Sequence, residues 1–222
     1  MNKAKIGILM LETQFHRPIG DIGNKDTFSF PIAYKIVKGA SISRVVKEGN
    51  RDLIEPFVQA AKEFEREGMK AITTSCGFLA LYQKDIQQQL NIPFYSSSLL
   101  QIPIASITAG GPVGVITASK SSLKPAHFEG VHAEQHHVIV KGMDEMQAFS
   151  GTIIREEIAL DEAAVKAEMK KATAEFVAAH PEIKAIILEC TNMPPYKKVI
   201  QEVTDLPIFD STTLVNYIHS TI

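Results

Sequence analysis

Tryptophan is absent from this 222-residue chain and only two residues are cysteine. Two thiols are too few for a disulfide-stapled scaffold, and neither a CxxC pair nor a Cys/His cluster with zinc spacing occurs. His136 and His137 are adjacent, and on a strand their side chains would point to opposite faces. Charge of one sign is also lacking: 23 basic residues stand against 25 acidic ones, for a net −2, and no Lys/Arg block interrupts the mixture. The electrostatic footprint of a nucleic-acid or anionic-membrane partner is therefore missing. Long apolar runs are missing too. The first, IGILML at 6–11, ends at Glu12, too short for an export leader or a membrane span. The expected compartment is the cytosol, where thiols stay reduced. No GxGxxG, P-loop or pyridoxal-lysine signature appears, so no cofactor and no metal is expected.

What is present is alternation. Short apolar runs read as buried strands: IGILML, a shorter SISRVV (41–46), MKAITTS, IPFYS, VGVITA (113–118), HHVIV, KAIILE and LPIFD. Between them lie amphipathic segments of helical spacing at 51–68, about 77–90, 161–180, about 194–203 and the last residues, TLVNYIHS. Pro56 falls in the early turns of the first of these. The stretch LLQIPIASITAGGP reads as a connector broken by Gly110, Gly111 and Pro112. Strands alternating with helices argue for an α/β fold of parallel βαβ units, each sheet covered on both faces.

The two cysteines occupy matching places. Pro93 follows Cys76 by 17 residues, within IPFYSSSLL, and Pro207 follows Cys190 by the same 17, within LPIFDSTTL. Leu100 matches Leu214, Ser97 matches Ser211, and each half opens on a glycine-led strand (Gly7, Gly114). This pattern reads as a duplicated α/β unit, with lobes at about 1–108 and 109–211. Each cysteine then sits at the carboxyl end of a strand, where open parallel sheets bind ligands. Two units facing each other would set the thiols on opposite walls of one cleft.

A thiol at a helix N-terminus can have its pKa lowered toward neutrality. A thiolate and a thiol on opposite faces of a small molecule suit two-base chemistry, one removing a proton from carbon and the other returning one to the far side. The developing carbanion needs its carboxylate held by donors. Thr74, Ser75, Ser97, Ser98, Thr117, Ser119, Thr191 and Asn192 are candidates at strand ends, and Gly77 follows the first cysteine. Glu12, Arg17 and Asp21 lie in the loop after the first strand, where Arg17 suits either a carboxylate clamp or solvent. Plainer readings apply as well: a cysteine after an apolar strand is ordinarily a small buried hydrophobe, strand-end Ser and Thr are ordinarily N-caps, and His127 and His132 ordinarily cap or pack.

With the cysteines placed, the chain resembles the aspartate/glutamate racemase superfamily, which works without pyridoxal phosphate. The resemblance is carried by Thr74-Ser75-Cys76-Gly77, Cys190-Thr191-Asn192, the glycine-led strands and the serine-rich turn after IPFY, and extends over nearly the whole chain. It implies two pseudo-symmetric Rossmann-like lobes with the active-site cleft between them, the terminal segment 212–222 returning to the first lobe, and a homodimer. It also implies Cys76 and Cys190 as the acid/base pair and Thr191 as a donor to the carboxylate of a small substrate. The chain departs from the amino-acid racemases at two points. Gly77-Phe78 stand where Asn-Thr usually follow the first cysteine, and Glu189 stands where a glycine usually precedes the second. CTNMPPY resembles the second cysteine turn of maleate cis–trans isomerases. The expected function is a cofactor-independent racemase of an aspartate- or glutamate-like amino acid. The alternatives are a maleate-type isomerase with a cysteine nucleophile and a hydantoin-type racemase; arylmalonate decarboxylases, which keep one of the two cysteines, fit less well.

Overall fold

The computed structural model describes residues 4–222. The first three, where the leader reading and the first lobe begin, lie outside the described residues. Among the described residues, eight strands form two four-stranded sheets, and every pairing within them is parallel. The first has the order β2-β1-β3-β4, from β1 (Ile6–Met10), β2 (Ile32–Ile36), β3 (Ala71–Thr74) and β4 (Phe94–Tyr95). The second repeats that order as β6-β5-β7-β8, from β5 (Val113–Thr117), β6 (Val138–Gly142), β7 (Ala185–Leu188) and β8 (Ile208–Phe209). The central strands β1, β3, β5 and β7 are buried along their length, as continuous apolar runs require when both sheet faces are covered.

The duplication extends to packing. Gly7 pairs with Ile72 across β1 and β3, and Gly114 pairs with Ile186 across β5 and β7. Helix α1 (Ile54–Arg66) lays Phe64 on Gly7, and α6 (Glu162–Ala179) lays Phe176 on Gly114. A Cβ would approach those rings to 2.5 and 2.9 Å. The glycines therefore let a helix-borne ring sit directly on each sheet.

Three segments depart from the expectations above. SISRVV is not a strand: Ser43–Lys47 winds as a π-helical turn, and the strand beside β1 is instead the half-buried edge IAYKI. Ile42, Val45 and Val46 are the buried residues there, and their i, i+3, i+4 spacing is helical. The stretch read as a connector forms α3 (Ile102–Ala109), with Pro103 in the first turn, where a missing N–H costs nothing, and Gly110 capping it at φ 71°. The segments expected as helices from 77 and from 194 each begin as 3-10 turns (Gly77–Tyr82, Pro194–Tyr196) before α2 (Gln83–Gln87) and α7 (Lys197–Gln201). Short helices α4 (Pro125–Gly130) and α5 (Gln147–Ile153) were not foreseen.

The two sheets exchange helices. α3 leaves the first sheet and packs on β5 and β7 of the second. The final helix, α8 (Ser211–Ser220), leaves the second and buries Leu214, Val215 and Ile218 with Ile6, Ile8 and Ala71 of the first. Each fully buried aliphatic side chain contributes about 1.5–3 kcal/mol. These crossings, with hydrogen bonds from one half to the other described below, hold the carboxyl edges of the sheets together.

Candidate active site

Both cysteines stand just past a central strand. β3 ends at Thr74, and Cys76 is extended (φ −151°, ψ 120°) immediately before its 3-10 turn. β7 ends at Leu188, and Cys190 follows two residues later. They line a common small cavity of about 30 Å³, with Arg17, Gly77, Phe78 and Glu189 on its walls. Both thiols are buried and unpaired by disulfide. The Cys190 thiol donates to Asn192 Oδ1 at 3.3 Å.

The other candidates divide sharply. Arg17, Ser75, Gly77 and Asn192 line the cavity with the cysteines. Arg17 donates to Asp21 Oδ1 and to Thr13 Oγ1, each at 2.9 Å, and its guanidinium lies over the Phe15 ring at 4.6 Å. Asn192 Nδ2 donates to Asp21 Oδ2 at 2.6 Å, tying the β1–β2 loop to the second half. The remaining hydroxyls serve the fold. Thr191 Oγ1 donates to the Ser75 carbonyl at 2.6 Å, so its one proton is already committed. Ser98 Oγ donates to the Leu188 carbonyl at 2.7 Å and Thr74 Oγ1 to that of Ser96 at 2.6 Å. Ser97 caps its own turn, accepting from Leu99 N–H at 3.1 Å. Ser119 donates to Asp144 at 2.8 Å, and exposed Glu12 accepts from Gly39 N–H at 3.0 Å. Thr117 Oγ1 donates to Glu189 Oε2 at 2.9 Å. His127 behaves as a cap, its Nδ1 accepting from Lys124 N–H at 3.0 Å, with its ring edge-on to Phe78.

Sequence reasoning missed Thr13 and Phe15, which hold Arg17, and treated Glu189 only as a departure from a pattern. Glu189 is fully buried, one carboxylate oxygen accepts from Thr117, and the other, Oε1, has no hydrogen-bond partner. The available signal was a glutamate ending the apolar run AIIL directly before a cysteine.

Electrostatics reverse one expectation. The thiol of Cys76 is raised, first by burial and then by the Glu189 carboxylate; N–H groups of Phe78 and Leu79 and the Arg17 charge offset only part. Cys190 is raised well above an ordinary thiol by burial and again by Glu189. The turn behind Cys76 has six residues in 3-10 form, too little aligned backbone to outweigh desolvation. Burial likewise pushes the Glu189 carboxyl up to about 7, against the hydrogen bond from Thr117 and the nearby Ala118 N–H. These shifts favour neutral thiols beside a carboxyl that titrates near neutrality.

The sequence profile of the Asp/Glu/hydantoin racemase family matches residues 99–215, just over half of the chain. The chain belongs to that family. Its fold agrees: an aspartate racemase homologue from Pyrococcus horikoshii superposes with a TM-score of 0.59 at 19% identity, over 95% of each chain. The chain is also similar to dimethylsulfoniopropionate lyases. It is 27% identical to one from Durusdinium sp. clade D, over 96% of this chain and 73% of that protein. It is 27% identical to another from Emiliania huxleyi, over 95% of this chain and 65% of that one. The family is thus named for racemases, while the similar proteins from Durusdinium and Emiliania huxleyi are named lyases.

Proposed function

We propose that this chain removes the proton from the carbon next to a carboxylate in a small substrate, with Cys76 and Cys190 as the acid/base pair. The cavity that both cysteines line carries this reading. Arg17, which lines the same cavity, supplies a charge suited to the substrate carboxylate. In the two-base form, a thiolate takes the α-proton and the opposing thiol gives its own to the other face, inverting the centre. The net result is racemisation of an amino acid, with an aspartate- or glutamate-like side chain as first choice. Proton NMR in D₂O with a panel of L- and D-amino acids tests it. The expected result is loss of the α-proton signal for one compound, abolished by Cys76→Ala and by Cys190→Ala. Substantial turnover in both directions by either variant overturns the two-base form.

A second fate of the same carbanion is supported by the likeness to dimethylsulfoniopropionate lyases over nearly the whole chain. Once the α-proton has gone to a thiolate, the electron pair forms the carbon–carbon double bond and the β-carbon–sulfur bond breaks. Dimethylsulfoniopropionate would yield acrylate and dimethyl sulfide. In the same NMR experiment, vinyl signals with that substrate, and no exchange with any amino acid, identify elimination.

A further inference from the structure

Glu189 is the one buried charge-bearing group of the cavity whose partners are incomplete. It lines the cavity with the two cysteines and raises both thiols, and its Oε1 atom is enclosed without a donor. A buried carboxylate oxygen with no partner costs about 1–3 kcal/mol or more, so the pocket holds an acceptor that no described protein group satisfies. Its neighbours are fixed. Thr117 on β5 holds Oε2, and the Gly77 backbone lies against Oε1. Arg17, also on the cavity lining, is paired with Asp21 at 2.9 Å.

We propose that Glu189 recognises a positive charge on the substrate, so that the site takes small zwitterions, an onium group with a carboxylate, in preference to acids whose tails are uncharged. The inference rests on the carbon-acid reading and names the substrate class for it. An ammonium or a sulfonium at Oε1 satisfies the orphaned acceptor, the first by N–H donation and the second by charge alone, with Phe78 also lining the cavity. It also cancels the negative charge that disfavours a thiolate at Cys76 and Cys190. The substrate then helps generate the base that attacks it, offsetting the burial and the carboxylate that raise both thiols. A dicarboxylate with no cation would meet Glu189 as a like charge.

The test is calorimetric titration of the intact protein with two matched pairs. One is dimethylsulfoniopropionate against 4-methylpentanoate, where CH replaces S⁺; the other is aspartate against 2-methylsuccinate, where methyl replaces ammonium. The expected result near pH 8 is that the cationic member of at least one pair binds about ten-fold or more tightly than its carbon isostere. Which pair shows it distinguishes sulfonium from ammonium. The preference shrinks near pH 6, where Glu189 holds its proton; the other titratable or charged groups lining the cavity are Cys76, Cys190 and Arg17. In Glu189→Gln the preference disappears while the isostere still binds. Equal binding within both pairs, no binding by either cationic member, or a preference retained in Glu189→Gln overturns the proposal. The wild-type pH comparison stands even if the variant does not fold. A clear preference with no α-proton exchange in D₂O leaves the role of Glu189 intact and instead sinks the carbon-acid reading.

Discussion

The carboxylate of Glu189 fills the space in which a Cβ on Gly77 would have to stand, and the Glu189 carbonyl oxygen crowds the same point. The residue after the first cysteine and the residue before the second are thus one packing unit drawn from two halves of the chain. The chain's two departures from the amino-acid racemase pattern, Gly77 and Glu189, meet here in a single contact.

Gly77→Ala is therefore expected to destabilise the protein by about 1–3 kcal/mol through overpacking. Urea unfolding measures it. Adding Glu189→Gly restores part of the loss and not all, because the carbonyl remains in place. Full restoration would show that the side chain alone sets the constraint.

Thr191→Val removes the proton donated to the Ser75 carbonyl at 2.6 Å while keeping the side chain's shape. The carbonyl is left buried without that donor, at an expected cost of about 1–3 kcal/mol. A shift in the urea midpoint with unchanged slope is the expected outcome. Loss of activity with no loss of stability would instead make Thr191 a substrate donor.

Stability should fall with pH through the titration of Glu189. Its folded pKa, about 7, lies above the ordinary 4.5, so the folded state holds the proton more tightly than the unfolded one. The resulting stabilisation is complete below the unfolded value. It is lost as pH rises through the folded one, by roughly 3 kcal/mol in all. Unfolding curves of wild type and Glu189→Gln on either side of that window should differ in slope with pH, the variant lacking this fall. Parallel curves would place the Glu189 pKa back in the ordinary range.

Raised thiols predict slow chemistry toward electrophiles. Iodoacetamide should alkylate Cys76 and Cys190 more than about ten-fold slower than a free cysteine at neutral pH, since only the thiolate reacts. The rate should climb only in strongly alkaline solution. Mass spectrometry of the modified sites over a pH series reads it directly, and rapid alkylation near pH 7 would contradict neutral resting thiols.

The positions of Cys76 and Cys190 were legible in the sequence because a duplicated unit repeats its local pattern: an apolar strand, a cysteine, a turn and a proline 17 residues on. The parallel α/β class was legible for the same local reason, since strands buried on both faces read as unbroken apolar runs such as AIIL. Periodicity also held the answer at 42–46, where the i, i+3, i+4 spacing of Ile42, Val45 and Val46 outweighs their β-branching. The destinations of α3 and α8, each crossing to the other sheet, were not legible from spacing, because an apolar helix face does not say which sheet will cover it. The polar residues of the site were the least legible. Which of Thr74, Ser98, Thr191 and Asn192 face the cavity depends on carbonyls and carboxylates more than 20 residues away in several cases, such as the Thr74–Ser96 and Asn192–Asp21 bonds. Sequence alone determined that two thiols end two equivalent strands. Tertiary structure decided that a buried glutamate stands beside them, because desolvation and long-range Coulomb interaction exist only once the two halves close around the cavity.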